Sequence, residues 1–224
     1  MSRHMYFHRE IEHLKKMILE LGTLAEDRLR RASSILDSAD DKEAQVLMTS
    51  DWEVDDMEIQ VEEECLKILA LHQPVARDLR LIVSVIKINN ELERIADIAV
   101  NIAKRVLTIN KNKPASCTFS FDYRPMATKA LEMVKAALDA LVTEDASLAR
   151  QIFLMDDEVD QERNRAYKLV VDEIGTSGEG AACMMNLYLI ARHLERVGDR
   201  AKNIAEEVIY LVEGEIVRST SDPH

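Results

Sequence analysis

The chain has 224 residues, with 41 Asp and Glu against 29 Lys and Arg, for a net charge of −12. It holds only 6 Gly and 4 Pro, where an average chain of this length carries about 27 of the two together, so a turn-rich sandwich or barrel is disfavoured. Hydrophobic residues make up 47% and aromatic residues 4%. That is enough for an aliphatic core and argues against global disorder, while the acidic balance disfavours nucleic acid and anionic bilayers as partners.

The periodicity is helical from end to end. Ile11, Leu14, Ile18, Leu21, Ala25, Leu29, Ala32 and Leu36 recur at steps of three and four, which predicts a first long helix with one apolar stripe. Residues Ser38 to Asp41 break it, and a second helix is expected from Asp41 to Leu71. Pro74 is read as opening the third helix, since its missing N–H would be unpaired in a first turn. Leu81, Val85, Ile88, Leu92, Ile95, Ala99, Ile102, Val106 and Ile109 then form a seam like that of a coiled coil. Asn110 to Asp122 read as a linker. A fourth helix is expected from Tyr123 to Val142, a fifth from Asp145 to Ile174, and a loop over the glycine-rich Gly175 to Gly180. The sixth helix carries Leu187, Ile190, Leu194, Val197, Ala201, Ile204, Val208 and Leu211.

Other features narrow the class. Met1 to Lys16 has no apolar signal-peptide stretch. The most apolar run, Leu79 to Ile88, is broken by Arg80 and Lys87, so no membrane-spanning helix is expected. Cys65, Cys117 and Cys183 are odd in number and far apart, and read as reduced, buried thiols in a cytoplasmic protein. No P-loop, dinucleotide fingerprint or nucleophile elbow is present.

The chain is a tandem repeat. Leu92-Glu-Arg-Ile-Ala-Asp-Ile-Ala-Val-Asn-Ile-Ala-Lys-Arg-Val106 aligns with Leu194-Glu-Arg-Val-Gly-Asp-Arg-Ala-Lys-Asn-Ile-Ala-Glu-Glu-Val208, nine of fifteen positions being identical at an offset of 102. Asp51-Trp-Glu-Val-Asp55 matches Asp156-Asp-Glu-Val-Asp160 at an offset of 105. A three-helix unit is therefore present twice. The expected fold is all-α, with six long antiparallel helices in two tandem three-helix bundles, residues 1–113 and 114–224.

Periodicity alone does not account for the shared polar set. On a helical wheel Glu93, Asp97 and Asn101 lie away from the Leu92 seam, and Glu195, Asp199 and Asn203 repeat the pattern. This predicts an accessible face. Asp51/Asp55 and Asp156/Asp160 add an acidic i, i+4 pair to the second and fifth helices. If the faces meet, four carboxylates converge in each half, a donor set for Mg²⁺, Mn²⁺ or iron. The alternative is a solvated surface in which Arg94 pairs with Asp97 and Arg196 with Asp199.

The segments Gln73-Pro-Val-Ala-Arg-Asp-Leu-Arg80, Leu92-Glu-Arg-Ile-Ala-Asp97 and Leu194-Glu-Arg-Val-Gly-Asp199 resemble the PhoU family, regulators of bacterial phosphate uptake. The resemblance runs from about residue 5 to 213. It implies that Asp51, Asp55, Glu93, Asp97, Asp156, Asp160, Glu195 and Asp199, with Asn101 and Asn203 beside them, bind multinuclear metal clusters. Iron is the expected metal, with Mn, Zn or Mg as other ions. It also implies a negative regulator of phosphate uptake and of the phosphate-starvation response. The implied partners are the phosphate sensor histidine kinase and the ATPase subunit of the phosphate ABC transporter, and regulation rather than catalysis is implied. A second copy of the chain is expected as a partner from the long faces that the two bundles expose. Other readings are a structural adaptor without functional metal and a phosphotransfer module using His193. A ferritin-like di-iron core is a further rival, but it needs Glu-x-x-His twice, and only Glu10 to His13 is present.

Overall fold

The computed structural model describes residues 3–50, 52–112, 121–177 and 180–217, with residues 3–5 and 175–177 described by backbone alone. Among these residues the chain forms α1 (Arg3–Ser38), α2 (Asp41–Thr49), α3 (Trp52–His72), α4 (Ala76–Asn112), α5 (Arg124–Thr143), α6 (Ala146–Ser177) and α7 (Ala181–Glu213), with no strand. None of these helices is long and apolar enough to cross a membrane.

The repeat extends to helix caps and burial. The Asp40 carboxylate accepts from the Lys42 and Glu43 backbone N–H groups and starts α2. Its counterpart at the 105 offset, Asp145, accepts from the Ser147 and Leu148 N–H groups at the start of α6. Each satisfies donors that no helical carbonyl can reach. Ala44, Leu47, Val54, Val61 and Cys65 are buried, and so are their counterparts Ala149, Ile152, Val159, Ala166 and Val170.

The expected second helix is two helices. α2 ends at Thr49 and α3 starts at Trp52, whereas α6 runs unbroken through the equivalent positions. The side chain of Arg28, buried on α1, donates to the Ser50 carbonyl at the break. A tertiary bond thus takes a backbone acceptor that a continuous helix would use. Three smaller differences concern connections. Pro74 lies in the link before α4, between Gln73 and Ala76, both with φ near +50°. α4 continues to Asn112, and linker residues 113–120 lie outside the described residues. α6 carries Gly175 and reaches Ser177, so helix propagation overruns the first part of the expected glycine loop. Gly180, at φ 78°, then precedes α7, in a conformation that costs glycine little.

α4 and α7 are the centre of the molecule. α1, α2 and α3 pack on α4, α5 and α6 pack on α7, and α1 meets α5. Hydrogen bonds run from Arg80 to the Leu211 carbonyl, Ser84 to the Glu207 carbonyl, Arg200 to Glu91 and Arg105 to Asn186. Along this series one residue number rises as the other falls by the same amount, so α4 and α7 are antiparallel and in register for about 38 Å. One apolar core runs through both repeats. α4 is buried well beyond a single seam, at Ala96, Ile98, Val100 and Ala103 as well as at Ile95, Ala99 and Ile102, as a helix with neighbours on several sides requires. α1 approaches α5 closely at Gly22, where an added Cβ would lie 2.6 Å from a terminal carbon of Leu138.

Cys65 is a buried free thiol, as expected, and burial pushes its pKa up to about 12. Cys183 is not a reduced thiol: it is disulfide-bonded. Cys117 lies outside the described residues.

Candidate functional site

The described members of the acidic pairs lie on helices that pack together, α3 with α4 in the first half and α6 with α7 in the second, and across each contact Asp55 adds its charge to Glu93 and Asp160 to Glu195. The two faces differ in how their charge is balanced.

On the α3/α4 face, Glu93 is half-buried while Asp55 and Asp97 are exposed. The Glu93 pKa rises to about 7. Burial is the main cause, and the charges of Asp97, Glu58 and Asp55 add to it. Arg94 alone opposes the rise. Glu58 is raised as well, by burial first and then by Glu62 and Asp55. The buried Asn89 donates to the Glu58 carbonyl at 2.9 Å and ties α3 to α4 beside the cluster. Asp51 lies outside the described residues. Asn101 is half-buried one turn beyond Asp97.

The α6/α7 face is built differently. Asp156 and Glu195 are 5% and 4% exposed, which corrects the expectation of an accessible track. α7 has α4, α5 and α6 around it, so positions well off its seam are still covered. The Lys202 ammonium forms an ion pair with Asp156 and reaches Asp199 at 3.9 Å. Arg163 lies 3.1 Å from Glu195, and Arg192 pairs with the same carboxylate. Burial works against the Lys202 charge, but the hydrogen bond to Asp156 and the charges of Asp156, Asp199 and Asp160 outweigh it, and its pKa rises. Asp156 and Glu195 are pushed up by burial and held back by these cations. Asp160 adds its charge to both. Asn203 is not part of this group. Its amide donates to Glu91 at 3.1 Å, across the interface between the repeats.

Among the described residues no three His, Cys, Asp or Glu side chains stand close enough together to hold one ion. A cation at α3/α4 would have to draw those carboxylates inward. Their chemistry suits it: Asp55, Glu58, Glu93 and Asp97 are hard oxygen donors on a largely accessible face, and Arg94, which opposes the rise in Glu93, pairs with Glu91 instead. The α6/α7 group does not fit a metal cluster as it stands, because fixed ammonium and guanidinium groups take up its carboxylates. Sequence reasoning passed over Arg163, Arg192 and Lys202, although the alignment carries the signal. Their counterparts in the first repeat are Glu58, Asn90 and Val100.

Other candidates resolve simply. Both ring nitrogens of His193 are shut off from solvent and have no hydrogen-bond partner among the described residues. Burial, with Arg105 and Arg196 nearby, lowers its pKa to about 4. A phosphotransfer histidine needs an open nitrogen, and this one is closed. Glu10 is bound by His72 at 2.5 Å and by Lys67 at 3.3 Å, so the lone Glu-x-x-His does not face a di-iron core. Trp52 is 65% exposed and lies in line with Ile59 and Leu66 on the outer face of α3, outside the core in which an aromatic is usually placed.

The PhoU domain model matches residues 18–106 and 123–208, one match for each repeat. The chain is 33% identical over 214 residues to the phosphate-specific transport system accessory protein PhoU homolog 1 of Thermotoga maritima, covering 96% of this chain and 92% of that protein. It is 36% identical over 212 residues to the corresponding PhoU homolog of Pseudomonas aeruginosa, covering 95% and 87%. The crystal structure of PhoU from Pseudomonas aeruginosa superposes with a TM-score of 0.87 at 36% identity, covering 93% of this chain and 100% of that one. The phosphate transport system regulatory protein PhoU from Streptococcus pneumoniae gives 0.83 at 29% identity, covering 95% and 99%. With both halves matched and the same duplicated helical core, this chain belongs to the PhoU family.

Proposed function

We propose that the chain is a regulatory accessory protein of bacterial phosphate transport. In this reading it restrains phosphate uptake and the phosphate-starvation response when phosphate is plentiful, and it has no catalytic role. The observation that carries the reading is the full-length similarity to phosphate-specific transport system accessory proteins. The chain acts by contact, with the phosphate sensor histidine kinase and with the ATPase subunit of the phosphate ABC transporter. The α3 surface supports docking of this kind. Trp52, Ile59 and Leu66 recur every seven residues and are each more than half exposed, and seven acidic residues stand against Lys67 and His72 on the same helix. Such a face suits a partner with an apolar ridge and basic flanks.

The α3/α4 carboxylates are proposed as the cation site of this regulator, with Asp55, Glu93 and Asp97 as ligands and Glu58 beside them. A bound hard cation would supply charge neutralisation, and the chain's own part is to hold the carboxylates on facing helices. The regulatory reading is tested in a bacterium whose own PhoU-family gene is deleted and which carries a phosphate-starvation reporter. Supplying this chain should restore repression in high phosphate. Reporter output that stays fully derepressed, with the chain expressed and folded, would count against it.

A further inference from the structure

We infer that the α6/α7 acidic face is a cation site filled by the protein itself: the Lys202 ammonium, with Arg163 and Arg192, stands where an ion would bind, so exchangeable divalent cation binds at α3/α4 alone. The inference rests on reading the acidic faces as cation sites, and departs from the two equivalent sites that the duplicated sequence suggests.

The geometry is specific. Asp156 and Glu195 are buried, and each is paired with a side chain fixed to the same two helices: Lys202 on Asp156, and Arg163 and Arg192 on Glu195. An ion entering here would have to displace an ammonium that is itself largely covered, its side chain being 18% exposed. Gly198 lets the Asp156 carboxylate lie directly against α7, since a Cβ at that position would lie 3.2 Å from its Oδ1. The first repeat has Ala96 at that position.

The three substitutions that place cations on the α6/α7 face act in one direction. Where the second half has Arg163, Arg192 and Lys202, the first has Glu58, Asn90 and Val100. In the first half the charges of Asp97, Glu58 and Asp55 push against Glu93, and Arg94, which pairs with Glu91, is the one cation that opposes them in the balance of Glu93. In the second half Asp156, Glu195 and Asp199 are met by Lys202, Arg163 and Arg192, and the charge of Asp160 also acts on Lys202. A dication gains from the first arrangement and little from the second, because its attraction to the carboxylates is cancelled by fixed positive charge at contact distance.

The test is Mn²⁺ binding to the full, metal-stripped chain by calorimetry and by electron paramagnetic resonance. In the wild type, replacing Glu93 and Asp97 together by Ala should weaken binding at least tenfold, and replacing Glu195 and Asp199 should not. Lys202→Met should add a second class of Mn²⁺ sites that survives the Glu93→Ala, Asp97→Ala double substitution. If Lys202→Met does not fold, Glu58→Arg on the half-buried first face carries the test. It installs the counterpart of Arg163 and should weaken Mn²⁺ at least tenfold. Wild-type binding that depends on Glu195 and Asp199 overturns the inference. So does a folded Lys202→Met chain with no added site, or Glu58→Arg binding as tightly as wild type. A wild type that binds no Mn²⁺ overturns it too, and reporter repression by that same protein would leave the regulatory reading standing.

Discussion

Glu93→Gln offers the sharpest test of the charge imbalance on the α3/α4 face. In the metal-free protein the Glu93 pKa stands at about 7 against an ordinary 4.5, raised by burial and by Asp97, Glu58 and Asp55. A shift of this size corresponds to about 3 kcal/mol at full strength. Glu93 is only half-buried, and solvent screening brings the effect to about 1–2 kcal/mol. The sign follows from proton binding. Between pH 4.5 and 7 the folded chain keeps a proton that the unfolded chain releases, so stability present below pH 4.5 is lost as pH rises through 7. Gln has no charge to desolvate. In urea melts of chelator-treated protein the variant should therefore be more stable than wild type by about 1–2 kcal/mol at pH 8, a midpoint shift of about 0.5 M, and nearly equal to it at pH 4.5. Added Mn²⁺ should stabilise the wild type and close the gap. A variant less stable than wild type at pH 8, or a gap of the same size at both pH values, would refute the reasoning.

Asp145→Ala removes the carboxylate that accepts from Ser147 and Leu148 at the start of α6, and should lower stability by about 1 kcal/mol in denaturant melts. Gly22→Val should cost about 2 kcal/mol by the same measure, because its branched side chain would collide with Leu138 where α1 meets α5. The Cys65 thiol, fully buried and pushed up to about 12, should resist a thiol-specific reagent at pH 8 in the folded protein and react promptly in denaturant. Labelling at the same rate in both states would show that α3 opens far more readily than its packing implies.

The fold was legible because two independent signals agreed. Apolar steps of three and four placed the long helices, and the near-copies around Leu92 and Leu194 divided them into two units. What escaped depended on tertiary contacts. Nothing near Ser50 in the sequence marks the break between α2 and α3. The cause is Arg28, more than twenty residues earlier on α1, donating to the Ser50 carbonyl. The helical wheel placed Glu195 off the apolar seam, and it is off the seam. It is buried nonetheless, because Arg163 reaches it from α6 and neighbouring helices surround α7. A wheel describes one helix and carries no information on how many others cover it. The difference between the two acidic faces was readable without coordinates. Aligning the repeats sets Lys202 against Val100 and Arg163 against Glu58, so the matching carboxylates are accompanied by cations in the second half that have no counterpart in the first.

Anomalous diffraction from crystals of the full chain grown with Mn²⁺ or iron tests the central claim most directly, because it locates the ion rather than counting it. The account predicts a peak between α3 and α4 within ligand distance of Glu93 and Asp97, with Lys202 still on Asp156 and no peak between α6 and α7. A peak between α6 and α7 with Lys202 displaced, or no peak at either face at saturating metal, would contradict it.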